Sequence, residues 1–120
     1  MDNTANLTSP RQCISCQEDA GDGLSIVLQG SVTIEDARDI QSVLSEALSS
    51  GRNIVMHGGE IEKVDTAVIQ LLCSFVNEVR QLRHAVAWSS ASDVLIQVAT
   101  WLGMAGALTL EQAEPVPIQN

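Results

Sequence analysis

A chain of 120 residues with 45% hydrophobic and 18% charged residues is the size of one domain and long enough to bury a core, and it has neither the composition of a disordered chain nor an apolar run that could span a membrane. Six Lys and Arg against 15 Asp and Glu give a net charge of −9, and with 2% aromatic residues and no Tyr the chain lacks both the basic surface and the stacking platforms that nucleic-acid binding needs. A basic patch on another protein suits such a charge far better than an acidic or phosphate-rich partner.

No basic segment followed by an apolar run opens the sequence, and three cysteines, an odd number, fit a reducing compartment, so the cytoplasm is the expected location. Residues 1–11 are polar and expected to be mobile, residues 12–110 form the domain, and residues 111–120, with Pro115 and Pro117, make a second mobile end. A first strand is expected near 12–17. It contains Cys13 and Cys16, a CxxC with no second CxxC to complete a zinc site, and Cys73, His57 and His84 stand at no ligand spacing. A turn-like run, Gln17 to Gly23, follows it where a redox motif would open a helix, so buried or edge-strand cysteines are the better reading.

Asp22-Gly23 predicts a hairpin turn into a strand over Leu24–Leu28, with Leu24, Ile26 and Leu28 on one face and Gly30 as its end. Thr33 and Asp36 have capping-box spacing, and Ile34, Ala37, Ile40, Leu44 and Leu48 keep a helical stripe until Ser49-Ser50-Gly51. Glu35, Asp36 and Asp39 give the start of that helix an acidic solvated face, which the helix dipole tolerates. With a further strand at Ile54–Met56 this makes a strand-helix-strand crossover, hence parallel pairing.

His57-Gly58-Gly59 is expected to break that strand into a polar loop. The glycine pair lacks the Gly-Lys-Ser/Thr ending that cradles nucleotide phosphates, and His57 has no nucleophile or acid partner near it in sequence, so catalysis is not supported. Glu60, Glu62 and Asp65 are carboxylates scattered along the loop, a solubilising pattern more than a metal site. The central helix follows: from Ala67 to Leu82 there is no Gly or Pro, and Val68, Ile69, Leu72, Phe75, Val76, Val79 and Leu82 form one apolar stripe. Asp65 or Thr66 is its natural N-cap. A phosphate on Thr66 would sit beside unsatisfied N–H groups and add close to two negative charges, although the simple cap is the commoner use of such a residue.

Ala85 to Trp88 predicts a strand ended by Ser89-Ser90, and Ser90 with Asp93 caps a helix over Asp93–Leu102 that turns Leu95, Val98, Ala99 and Leu102 inward and stops at Gly103. Val94 and Trp101 share another face, where an exposed indole would anchor a partner. Ala107 to Leu110 is expected as a last short strand. The order predicts one α/β domain: a mixed sheet of four to five strands with three to four helices packed on it.

The run from Ile54 to Ala67 resembles the core motif of the STAS domain, the family of bacterial anti-sigma-factor antagonists, and the resemblance extends over about Leu24 to Leu110. In that family an apolar strand leads to Asp-Ser-Ser-Gly at a helix start, and a cognate kinase phosphorylates the second Ser. Here the matching residues are Asp65, Thr66, Ala67 and Val68, so the usual phosphoacceptor position is Ala67, which has no hydroxyl. Asp-Thr-Ala is similar to the STAS subunit of the bacterial lipid-asymmetry ABC transporter and to STAS proteins found beside chemotaxis genes. The resemblance implies a non-catalytic interaction module, without metal or cofactor, docking through Glu60, Glu62, Lys63, Asp65, Thr66 and Ala67, with Thr66 the candidate phosphorylation site. The implied partner is an anti-sigma-factor-type kinase, a chemotaxis signalling protein or a transporter ATPase, and a homodimer stays open. Lys63 departs from the family, which usually has an apolar residue there. Two alternatives stand beside the switch: a constitutive transporter subunit, and a small nucleotide-binding protein built on the glycine loop.

Overall fold

The computed structural model describes residues 13–18, 23–108 and 110. The expected ends at 1–11 and 111–120 and the turn at Asp22 lie outside them. Four strands, β1 (Ile14–Glu18), β2 (Leu24–Val32), β3 (Ile54–Val64) and β4 (Val86–Ala91), lie side by side in that order. β1 runs antiparallel to β2, while β2, β3 and β4 are parallel. Parallel neighbours need crossovers, and α1 (Ala37–Ser49), entered through a 3-10 turn at Ile34–Asp36, and α2 (Thr66–Gln81) supply them. α3 (Asp93–Trp101) and the single turn α4 (Ala105–Leu108) close the described chain. A mixed four-stranded sheet with four helices is the α/β architecture that the pattern implies.

Alternation along the strands decides which face is core. The register aligns Leu24 with Ile54 and Val86, and Ile26 with Met56 and Trp88, so one face is apolar throughout. Onto it α2 places six buried side chains, Val68, Ile69, Leu72, Phe75, Val76 and Val79, against three from α1 and two from α3. At about 1.5–3 kcal/mol for each large side chain buried, α2 is the helix that contributes most to the core. The opposite face carries Ser25, Val27, Val55 and His57, of which only Ser25 is buried.

Four expectations about element bounds and caps are corrected. Gly30 does not end β2; at φ 71° it sits where the β2–β3 register shifts, and the strand continues to Val32, which is fully buried. His57-Gly58-Gly59 is not a loop, because β3 runs unbroken to Val64. The glycines are there for space: a Cβ on Gly58 would lie 2.8 Å from Trp88 Cζ3 and 3.0 Å from Leu95 Cδ2, and one on Gly59 would lie 2.9 Å from Ser90 Oγ. Absence of a side chain lets α3 approach the sheet, and the backbone stays extended. Ser90 belongs to β4, its hydroxyl accepting from the Gly59 N–H at 3.1 Å, and Ser92 is the cap that accepts from Leu95 N–H at 3.1 Å.

The last correction is α4, a helical turn where a strand was expected. Leu108 is fully buried within it, and its carbonyl accepts the Trp88 indole N–H at 2.8 Å, which ties the end of the domain to β4. Leu82, expected on the inward stripe of α2, is the residue after its last turn and is 52% exposed; on α3, Leu95 and Ala99 are buried as expected, but Val98 is half-buried and Leu102 exposed, and Trp101 is 73% exposed on the outer side.

Candidate functional site

β2 and β3 are parallel neighbours, so their carboxyl ends emerge side by side, the usual position for a site in such sheets. β3 ends at Val64. Asp65 keeps extended geometry (φ −89°, ψ 157°), and its carbonyl accepts the N–H groups of Val68 and Ile69 at 3.0 and 3.1 Å, so Thr66 becomes the first helical residue of α2. Asp65 is the N-cap by position. Its carboxylate, however, turns away from its own helix and accepts the backbone N–H of Ile34 at 2.8 Å, while the Asp65 N–H donates to Val32 O at 3.2 Å. One residue thus pins the exit of β2 to the start of α2. The Thr33 hydroxyl and N–H both donate to Asp36 over long distances, 3.4 and 3.5 Å, the capping box anticipated from their spacing.

Thr66 is exposed and Ala67 half-buried. Around them stand Glu35, Asp36 and Asp65 from the two connections, with Glu62 and Lys63 exposed on the last turn of the pleat before Val64. Glu60 is also exposed on β3, but four residues before Val64 it lies about 13 Å further back along the strand. The tip therefore gathers Glu62, Lys63, Asp65, Thr66 and Ala67 and leaves Glu60 at its edge.

Ile34, expected on the inward stripe of the first helix, is instead 55% exposed beside Asp65, because the 3-10 turn at 34–36 shifts the phase before α1 begins. The tip thus includes an exposed apolar residue whose backbone is bonded to Asp65. Thr33-Ile34-Glu35-Asp36 offered one hint, since a cap followed by two acids marks the first turn and not yet the core-facing stripe.

The other chemistry-bearing residues lie elsewhere. His57 Nε2 is 3.2 Å from Ser25 Oγ, a pairing across β2 and β3 that residues 32 apart in sequence do not announce. Ser25 is 7% exposed, so the pair acts as a cross-strand tie and not as an accessible nucleophile and base. The three cysteines are unbridged. Burial, then the Asp36 carboxylate, pushes the Cys13 thiol up to about 11; burial and then Glu46 raise Cys16, and burial raises Cys73. Reactive thiols have lowered values, so none of the three is activated. Among the described residues no three His, Cys, Asp or Glu side chains converge on a metal position, and no helix is long and apolar enough to cross a membrane.

A sheet faced by helices, with an exposed Thr66 opening the central helix where two strand exits meet, defines a small α/β domain. The chain belongs to the STAS domain family: the family model described as "Mlab, STAS domain" matches residues 16–112. The fold is that of the unphosphorylated anti-sigma factor antagonist SpoIIAA, with a TM-score of 0.67 at 11% identity over 87% of this chain and 88% of that one. Phosphorylated SpoIIAA of Bacillus gives 0.65 at 13% over 87% and 91%, and a Thermotoga maritima protein described as a "putative anti-sigma factor antagonist" gives 0.69 at 11% over 92% of both chains. No curated protein sequence matches the chain.

Proposed function

We propose that this chain is a non-catalytic protein-interaction module acting in the cytoplasm, docking through the tip formed by Glu62, Lys63, Asp65, Thr66 and Ala67, with Ile34 as its exposed apolar residue and Glu60 at its margin. The observation that carries the reading is the Asp65 carboxylate's bond to the Ile34 N–H, which holds an exposed Thr66 at a rigid, acidic corner. Rigidity lowers the ordering cost of association. The acids favour a partner with a basic face. Thr66 is the candidate phosphoacceptor, since Ala67 has no hydroxyl, and a phosphate there would turn a docking surface into a repulsive one.

The second reading keeps the surface and drops the switch: a constitutive subunit clamped to a transporter ATPase. The Asp65-Thr66-Ala67 pattern and the Mlab description of the matching family favour it. Capture of the tagged chain from its native cell, followed by intact-mass analysis, tests both. A kinase or chemotaxis partner together with a phosphorylated fraction supports the switch. An ATPase with unmodified chain supports the subunit, and a chain recovered free and unmodified contradicts both readings.

A further inference from the structure

We infer that the docking surface does not stop at the tip but continues along α2 into the groove between α1 and α2, and that this groove receives the apolar face of a basic amphipathic helix of the partner; the inference rests on the docking reading above. The groove has an aliphatic and aromatic floor, Leu44 and Leu48 from α1 with Leu71 and Phe75 from α2. Leu48 and Leu71 are only half-buried although they pack against the core. Its rim is neutral, formed by Gln41, Ser45 and Ser74, and Glu78 closes the far end.

Size decides the kind of occupant. The cavity measures about 160 Å³, below the roughly 300–1,000 Å³ of pockets that engulf small molecules. It is suited to one or two apolar side chains presented by a larger body. Direction decides the geometry. Ala67, Leu71, Ser74 and Glu78 recur at spacings of four, three and four, so one face of α2 leads from the proposed docking tip through the groove to Glu78. The eleven steps from residue 67 to residue 78 rise about 16 Å, or three turns, the length over which a helix offers anchors at i, i+4 and i+7.

Charge decides the flanks. Acids outnumber bases along this track, Glu62 and Asp65 against Lys63 at the tip and Glu78 at the far end, while the floor between is uncharged. The neighbouring surface of α1 carries one base and one acid, Arg38 and Glu46, among Gln41, Ser42 and Ser45. A helix with aliphatic residues in its middle and Lys or Arg at its ends matches that order, and one with acidic ends would be repelled by a chain of net charge −9.

The test is a titration of the isotope-labelled full chain with a synthetic helix of about four turns, Leu at i, i+4 and i+7 and Lys at both ends, followed through backbone amide shifts. Saturable shifts centred on Leu44, Leu71 and Phe75 are expected, with binding about tenfold weaker for a Leu→Ala peptide of the same charge and for a Lys→Gln peptide of the same apolar face. Ser74→Arg, an exposed change at the rim, should weaken the parent peptide equally and leave the melting midpoint in place. Equal binding of the Leu→Ala peptide, or shifts centred on the open sheet face, would overturn the inference. With the partner captured in the native cell, loss of binding in Thr66→Glu but not in Ser74→Arg refutes the groove and leaves the tip; loss in Ser74→Arg but not in Thr66→Glu supports the groove and removes the tip.

Discussion

Gly58→Ala isolates the reason for the glycine pair. An added Cβ would stand 2.8 Å from Trp88 Cζ3, 3.0 Å from Leu95 Cδ2 and 3.4 Å from Ile61 Cδ1, where carbon atoms settle at roughly 3.5–4.0 Å. None of these neighbours moves freely. Trp88 is 3% exposed and its indole N–H is held by Leu108 O, and Leu95 is fully buried under α3. Overpacking of this kind costs about 1–3 kcal/mol, and the reduced entropy of an unfolded Ala returns about 0.4–1 kcal/mol. The net expectation is destabilisation by about 1–2 kcal/mol, or a melting midpoint lower by roughly 4–8 °C at about 4 °C per kcal/mol for a domain of this size. Thermal and urea unfolding followed by circular dichroism read it, with Gly103→Ala as a contrast. There nothing lies within 4 Å and the cost comes from the backbone at φ 71° alone. Gly58→Ala melting at or above the parent temperature would refute the close approach of α3 and restore the loop reading of this segment.

Asp65→Ala removes the acceptor for the Ile34 N–H and should cost about 1–2 kcal/mol in urea unfolding, whereas Asp65→Asn, which keeps a carbonyl oxygen, should cost less than half of that. Trp88→Phe deletes the bond to Leu108 O and should lower stability by about 1 kcal/mol, with hydrogen exchange rising most in 105–108. The Cys13 thiol is raised to about 11 in the folded chain from 9.0, so the unfolded chain loses its proton first. Its contribution is complete below pH 9 and is lost as pH climbs from 9 to 11; Cys13→Ser should flatten that fall in stability without changing it near neutrality. A thiol reagent at pH 8 should label exposed Cys16 before Cys13.

Helical stripes were the most legible part of the sequence. Six of the seven stripe positions are buried on α2 where spacings of three and four place them, the seventh, Leu82, lying exposed just past the helix end, and the alternation of Leu24, Ile26 and Leu28 marked the core face of β2. Glycine misled in both directions. Gly58 and Gly59 looked like a loop because turn chemistry is local, while their actual constraint, the distance to Trp88, Leu95 and Ser90, is set by elements 30 or more residues further on. Gly30 looked like a strand end but serves a bulge that only pairing with β3 reveals. The Ala107–Leu110 run is short and apolar, a pattern that does not separate strand from helix, and tertiary contact with Trp88 decides it. At the tip, Asp65 and Thr66 could be placed from sequence. Their link to Ile34 could not, since it joins residues 31 apart through a backbone N–H that carries no sequence signal.

The central proposal is that an accessible Thr66 governs docking. Its most direct measure is the equilibrium affinity of the captured partner for the parent chain, Thr66→Ala and Thr66→Glu, each shown by its melting midpoint to be folded. A charge at the tip should weaken binding at least tenfold, about 1.4 kcal/mol, with Thr66→Ala close to the parent. Undiminished binding of the Thr66→Glu chain would contradict the account.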